Sequence, residues 1–297
     1  FELLLVRLFH GVALATFIPA ANALVLDLSK PERRGETLGW LAASTQLGFV
    51  AGPAIGGLMK QNYRINATFY SCSIVSLPGL MLILVGSRWI NRAPLTSSRP
   101  AEGRHWSWVK NRMAVGALFA PWFATFGAGA VASFALPLYA AGFSIDPAAV
   151  GFMIAALYTG SAIVRAPSGR LSDRIGRRPV ILSGLIVESI AISFMSISRS
   201  LPSLMATAVL CGLGVGLTNP TGFALLSDVV PTTSRGTAMG VANSFLQAGL
   251  AIGSTSMGFV KGMFGFEWMF QTCALVIVLG STLIFMLTKN KHQPGAF

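Results

Sequence analysis

Three ionisable residues, Arg7, His10 and Glu188, lie inside long apolar runs, where charge has no ordinary place. An arginine in such a run costs about 3 kcal/mol on membrane-insertion scales. Arg7 therefore either faces protein or water in a functional role, or reaches its head group outward, because it stands only a few residues into its run. His10 follows one turn later. Its imidazole can titrate in the physiological range and so handle a proton, or it can be plain polar packing. Glu188 has three readings: a structural pair with Arg165, which lies at a compatible depth, a carboxylate that couples to protons, or a neutral acid without a task.

Nothing else in the chain assembles into an active site. There is no Ser/His/Asp grouping, no phosphate-binding Gly-Lys loop and no metal-ligand spacing among His10, His105 and His292. Enzymatic and ATP-driven roles are therefore disfavoured, and no cofactor is expected. Cys72, Cys211 and Cys273 all fall in apolar runs without paired spacing, which makes them small buried residues. The net charge of +12 is not a nucleic-acid signature, because its 22 Lys and Arg residues stand mostly in short connectors and form no basic face interleaved with aromatics.

The elements that position these residues are membrane spans. The 297-residue chain is 53% hydrophobic and only 11% charged, against about 25% charged in soluble domains. Runs of 20 or more apolar residues recur along it, each long enough to cross a hydrocarbon core of about 30 Å as a helix. Nine spans are predicted, at 3–27, 37–58, 67–87, 113–138, 148–168, 179–198, 203–227, 238–260 and 268–288. The connectors on one side (28–36, 88–112, 169–178, 228–237 and 289–297) hold sixteen Lys or Arg, and those on the other hold four: Lys60, Arg64, Arg199 and Lys261. Positive charge marks the cytoplasmic side, so the tail is predicted there. Trp106 and Trp108 are placed at the same interface.

The chain also matches itself without gaps at an offset of 201 residues. Gly11, Pro19, Asp27, Arg34, Gly35, Gly39, Gln46, Gly48, Gly52 and Gly57 recur as Gly212, Pro220, Asp228, Arg235, Gly236, Gly240, Gln247, Gly249, Gly253 and Gly258. Parallel copies six spans apart mean two homologous six-helix bundles related by an axis along the membrane normal. On that count the first bundle is short by three helices, and a chain that begins at Phe1 reads as a fragment or a processed form. The predicted layout is an incomplete bundle over 1–87 (helices four to six), a connector over 88–112, a six-helix bundle over 113–288 (helices seven to twelve) and a tail over 289–297.

Three motifs give this arrangement a family. Gly169-Arg170-Leu171-Ser172-Asp173-Arg174-Ile175-Gly176-Arg177-Arg178 resembles the cytoplasmic loop motif of the major facilitator superfamily. Its glycines permit a tight turn between antiparallel helices, and Asp173 can accept from free N–H groups at a helix start. The resemblance implies that this start is helix five near Glu36 and that Arg177 reaches Asp228, a network that latches the cytoplasmic side; the alternative is a solvated basic loop. Gly48 to Gly57, with Gly52, Pro53 and Gly56 between them, resembles the antiporter motif of drug:proton exporters. Pro53 removes a backbone donor and should bend helix five near Phe49, and the glycine face admits a neighbouring helix, either to seal the outer side or as routine packing. Arg7-Leu8-Phe9-His10-Gly11 resembles the family's Arg-x-x-Gln-Gly motif with His10 in the glutamine position, and the resemblance implies a part for Arg7 in proton transfer.

The resemblance also implies a central cavity, whose polar and aromatic candidates are Asn22, Gln46, Trp122, Phe126, Tyr158, Asn219, Asn243 and Gln247. Each can touch substrate or bond another helix. A mostly apolar pocket with few neutral hydrogen-bonding groups suits amphiphilic organic compounds. The reading as a whole is an all-α major facilitator transporter, monomeric, multi-pass in the inner (plasma) membrane, exporting small amphiphiles against protons. The alternatives are a transporter of a native metabolite (sugar, amino acid or metal-chelating compound) and a membrane sensor or scaffold without transport.

Overall fold

The computed structural model describes residues 2–29, 33–63, 65–90 and 106–289. Lys30, Arg64, Arg92, Arg99, Arg104, His105, Lys291 and His292 lie outside the described residues, as do most of the 88–112 connector and all but the first residue of the tail. Every regular element among the described residues is helical. In order these are α1 (Glu2–Leu28), α2 (Arg34–Tyr63), α3 (Ile65–Ile90), α4 (Arg112–Ala128), a π-helical stretch (Gly129–Ala135), α5 (Leu136–Ala141), α6 (Pro147–Ile175), α7 (Arg177–Met195), α8 (Leu201–Val229) and α9 (Arg235–Leu287). In an apolar solvent a chain must satisfy its backbone polar groups internally, and helices do so within each segment.

Each predicted span falls on a helix. α4, the π stretch and α5 run on as one 30-residue span from Arg112 to Ala141. The last two predicted spans share α9, whose 53 residues would extend about 80 Å as one rod, far more than a bilayer's core. Gly265 resolves the excess: at φ 86° and ψ 179° it leaves the helical region and divides the rod in two. Glycine is required there, because this backbone conformation is essentially closed to other residues. The internal repeat is also visible in the element starts, since α2 opens at Arg34 and α9 at Arg235, the 201-residue offset again.

Two units form. The first holds residues 1–49 and 69–100, thus α1, the first half of α2 and most of α3. The second holds residues 50–68 and 101–297. Its core is built from Leu185, Ile192 and Met195 of α7, Leu204 and Leu226 of α8, and Phe270 and Ile277 of α9, all fully buried. Lipid is as apolar as leucine, so close packing and interhelical hydrogen bonds hold such a bundle rather than flight from water. Ser189 donates to the carbonyl of Ala274 at 3.1 Å, and Ser193 to Gln271 Oε1 at 2.9 Å, which joins α7 to the second half of α9. Thr125 of α4 donates to the carbonyl of Leu246 at 2.8 Å and ties α4 to the first half.

Candidate functional site

The basic motif of residues 169–178 is mostly helix, which corrects its reading as a connector. α6 continues to Ile175, α7 begins at Arg177, and Gly176 alone makes the turn at φ 95°. Gly169 takes no part in the turn, and a methyl group added there would meet nothing within 4 Å. Because the turn is one residue long, Arg177 opens α7 directly beside the last turn of α6. Its Nη1 lies 2.6 Å from Asp173 Oδ1 and donates to Ser172 Oγ at 2.5 Å, while its Nε donates to Asp228 Oδ2 at 3.1 Å. One guanidinium thus joins α6, α7 and the foot of α8, with the five-donor fork that suits arginine to several acceptors.

The neighbouring cations extend this stitching. Arg178 donates to the carbonyl of Phe285 at 3.1 Å and lies 3.9 Å from the centre of its ring, which fixes α7 to the end of α9. Arg235 donates to the carbonyl of Ser227 at 3.1 Å across the α8–α9 corner. Arg170 and Arg174 are exposed. Asp173 takes Arg177 as its partner, and the side chains around Glu36, where a helix start was expected to receive it, lie outside the described residues. The Arg177 and Asp228 side chains are 24% and 54% exposed, and a pair so open to water contributes at most about 1 kcal/mol.

The glycine motif works by backbone approach. α2 remains helical through Pro53. A Cβ on Gly57 would stand 2.6 Å from the carbonyl oxygen of Pro147 and 3.1 Å from the Cα atoms of Ala148 and Gly151, all of α6. Gly56 faces Thr68, 3.6 Å away, whereas Gly48 and Gly52 have nothing within 4 Å. The C-terminal half of the motif, with Pro53 and Gly57, is therefore the part that touches α6.

Glu188 does not pair with Arg165. Arg165 is exposed on α6, while Glu188 is completely buried on the face of α7 turned to α4 and α8. α8 stands in the way: α6 packs on it where Gly212 and Gly216 meet Leu157 and Ser161, and α7 packs on it where Gly214 meets Gly184. Neither carboxyl oxygen has a hydrogen bond of full geometry among the described residues, and the donor that approaches them is the backbone N–H of Ala128.

The cavity candidates divide. In the first unit Asn22 is exposed and Gln46 half-buried, and Arg7 and His10 are exposed on α1. In the second, Trp122 stacks on Phe126 with centroids 5.4 Å apart, Phe126 is buried where Gly253 crosses its backbone, and Tyr158 is half-buried. Asn219 is buried with its Oδ1 unpartnered among the described residues, and Asn243 and Gln247 are exposed. Among the described residues no group of three His, Cys, Asp or Glu side chains is placed to hold a metal ion.

The family model described as Major Facilitator Superfamily matches residues 1–139 and 117–296. The chain belongs to that superfamily. It is 27% identical to an uncharacterized MFS-type transporter, MJ1560, of Methanocaldococcus jannaschii, over 93% of this chain and 72% of that one. It is 26% identical to the multidrug resistance protein MdtG of Citrobacter koseri, over 98% and 73% respectively, and 24% identical to multidrug resistance protein 2 of Bacillus subtilis, over 96% and 72%. Its fold matches the crystal structure of a bacterial homolog of the human lysosomal transporter Spinster, in an inward-facing and occupied conformation, with a TM-score of 0.69 at 15% identity, over 91% of this chain and 73% of that one. As a member of the superfamily the chain is a multi-pass membrane transporter of small molecules and not an enzyme.

Two features of this superfamily member escaped the sequence reading. Gly151 receives Pro53 and Gly57, yet a lone glycine one turn into a helix carries no pattern by itself. Phe119, Trp122, Phe123 and Phe126 form an aromatic face on α4, joined by Phe245 of α9 at 5.5 Å from Phe119. Their spacing of three and four residues was the signal that could have found the whole face rather than two of its members.

Proposed function

We propose that the chain moves small amphiphilic organic compounds out of the cell in exchange for protons, by alternating access. The observation that carries the compound class is the likeness to multidrug resistance proteins across nearly the whole chain. The aromatic face of α4 agrees with it, since flat apolar rings bind many organic shapes without demanding one hydrogen-bond pattern.

The two ends of α6 support alternating access. Near its start Gly151 meets α2 backbone to backbone, and near its end Asp173 joins the Arg177 network. These 22 positions span about 33 Å of helix, the thickness of a hydrocarbon core. One end closes by dry close packing and the other by exposed ion pairs of low individual strength, which can break and re-form in every cycle. The basic end faces the cytoplasm in this proposal, and Arg7 and His10 of α1 are its proton-handling candidates.

The test is transport itself. Membrane vesicles carrying the chain, energised with a proton gradient, should show drug- or dye-dependent dissipation of that gradient, together with accumulation of the compound. Uptake of a metabolite with no response to any drug would replace the compound class, and a gradient indifferent to every compound would remove the antiport.

A further inference from the structure

Glu188 occupies a slot that glycines on two other helices leave open. Oε1 lies in contact with the place a Cβ on Gly127 of α4 would take, a place otherwise bounded by the Cδ1 atoms of Ile277 and Ile192 at 2.7 and 3.0 Å. On the other side a Cβ on Gly214 of α8 would stand 2.6 Å from Glu188 Cβ. A carboxyl group thus fills volume inside an apolar core where side chains at 127 or 214 would exclude it. The carboxyl has no cation and no hydrogen bond of full geometry among the described residues, although the backbone N–H of Ala128 on α4 approaches it. An ionised carboxylate in that setting would cost far more than a bundle can offset, whereas the neutral acid is tolerable.

The surroundings are poor in other titratable groups. Between Met113 and Leu138 the α4 span carries none, and α7 from Pro179 to Met195 carries only Glu188. Cys211 of α8 and Cys273 of α9, both buried thiols, are the titratable side chains of the same core. Two residues beyond Gly127, α4 gives way to the π stretch Gly129–Ala135, whose end is marked by the five-residue bond from the Leu136 N–H to the Val131 carbonyl. A π stretch holds an extra residue in the turn and frequently marks a functional site. Gly129 there lies against the backbone of Leu250, its absent Cβ only 2.9 Å from that residue's Cα.

We propose that Glu188 is a proton-binding site inside the second unit, and that release of its proton draws α4 away from α7 at Gly127, with the π stretch taking up the movement. A bare carboxylate needs more than the single Ala128 N–H beside it, and movement of α4 would admit water or further donors. This rests on and deepens the proton-coupled reading, because α4 also bears the aromatic face formed by Phe119, Trp122 and Phe126.

The experiment needs no substrate. Infrared difference spectra of the full chain in lipid nanodiscs should show the carbonyl band of a protonated carboxylic acid at neutral pH, absent from Glu188→Gln and moved but retained in Glu188→Asp. Cys72, expected to be buried, is exposed, so in a Cys72→Ser background spin labels on the exposed positions Ser133 and Ile190 should change their separation as pH rises from neutral to alkaline, and this change should vanish in Glu188→Gln and persist in Glu188→Asp. An unchanged infrared band in Glu188→Gln, or a separation that ignores pH in the parent or follows it equally in Glu188→Gln, overturns the proposal. A chain that moved no drug would refute the antiport and leave these readings standing.

Discussion

Gly151 of α6 lies so close to Pro53 of α2 that a methyl group on it would fall 3.1 Å from the proline's carbonyl carbon. Nothing flexible stands there to move aside, because the facing atoms are backbone. Gly151→Val should therefore open the contact, at a cost of about 1–3 kcal/mol typical of overpacking. The expected outcome is a lower thermal midpoint for the purified protein and roughly tenfold slower dye efflux at unchanged membrane abundance. Gly52→Ala, with open space around it, should leave both nearly as they are.

Two glycines of the basic motif should behave oppositely. Gly176 stands at φ 95° and ψ 153° in the turn, a region essentially closed to other residues, where an L-residue costs about 1–3 kcal/mol. Gly169 lies inside α6 with free space, where alanine is the better helix former by about 1 kcal/mol. Thermal melts should show Gly176→Ala destabilised and Gly169→Ala unchanged or more stable; the reverse order would contradict the turn assignment.

The Arg177–Asp228 pair should matter more to movement than to stability. A double-mutant cycle with Arg177→Ala and Asp228→Asn should return a coupling of about 0.2–1 kcal/mol in unfolding, as exposed pairs do. Transport by the single variants should fall well beyond what that coupling explains. Equal losses in both measurements would mean that the contact is merely structural.

Much of this was legible before any coordinates. Span lengths and connector charge placed the helices, and the 201-residue repeat foretold that α2 and α9 open at matching residues. The Arg177–Asp228 contact was expected from the family resemblance of the basic motif, and the predicted spans put both residues at helix ends. Azimuth was the missing quantity. Glu188 and Arg165 share a depth, but which way each points depends on how α7 and α6 lean on α8, and that follows from Gly160, Gly184, Gly212, Gly214 and Gly216 acting together. The same gap hid Gly151, whose partners come from a helix about 90 positions earlier, and it divided the cavity candidates between buried Asn219 and exposed Asn243.

Gly265 should tolerate little. Gly265→Ala would force a Cβ into a conformation open almost solely to glycine, and a loss of about 1–3 kcal/mol is expected in thermal or denaturant melts, with the membrane-inserted yield reduced accordingly.

That single-residue break has one more consequence, for phase. With no slack between the two rods of α9, one amino acid added beside Gly265 would rotate everything after it by about 100°. Phe270 and Ile277, now turned inward, would swing to the exposed places of Gln271 and Val278, and exposed Trp268 would enter the buried place of Met269. Insertions are usually harmless where helices meet, but here the joint acts as a rotational key that sets the facing of the whole final segment.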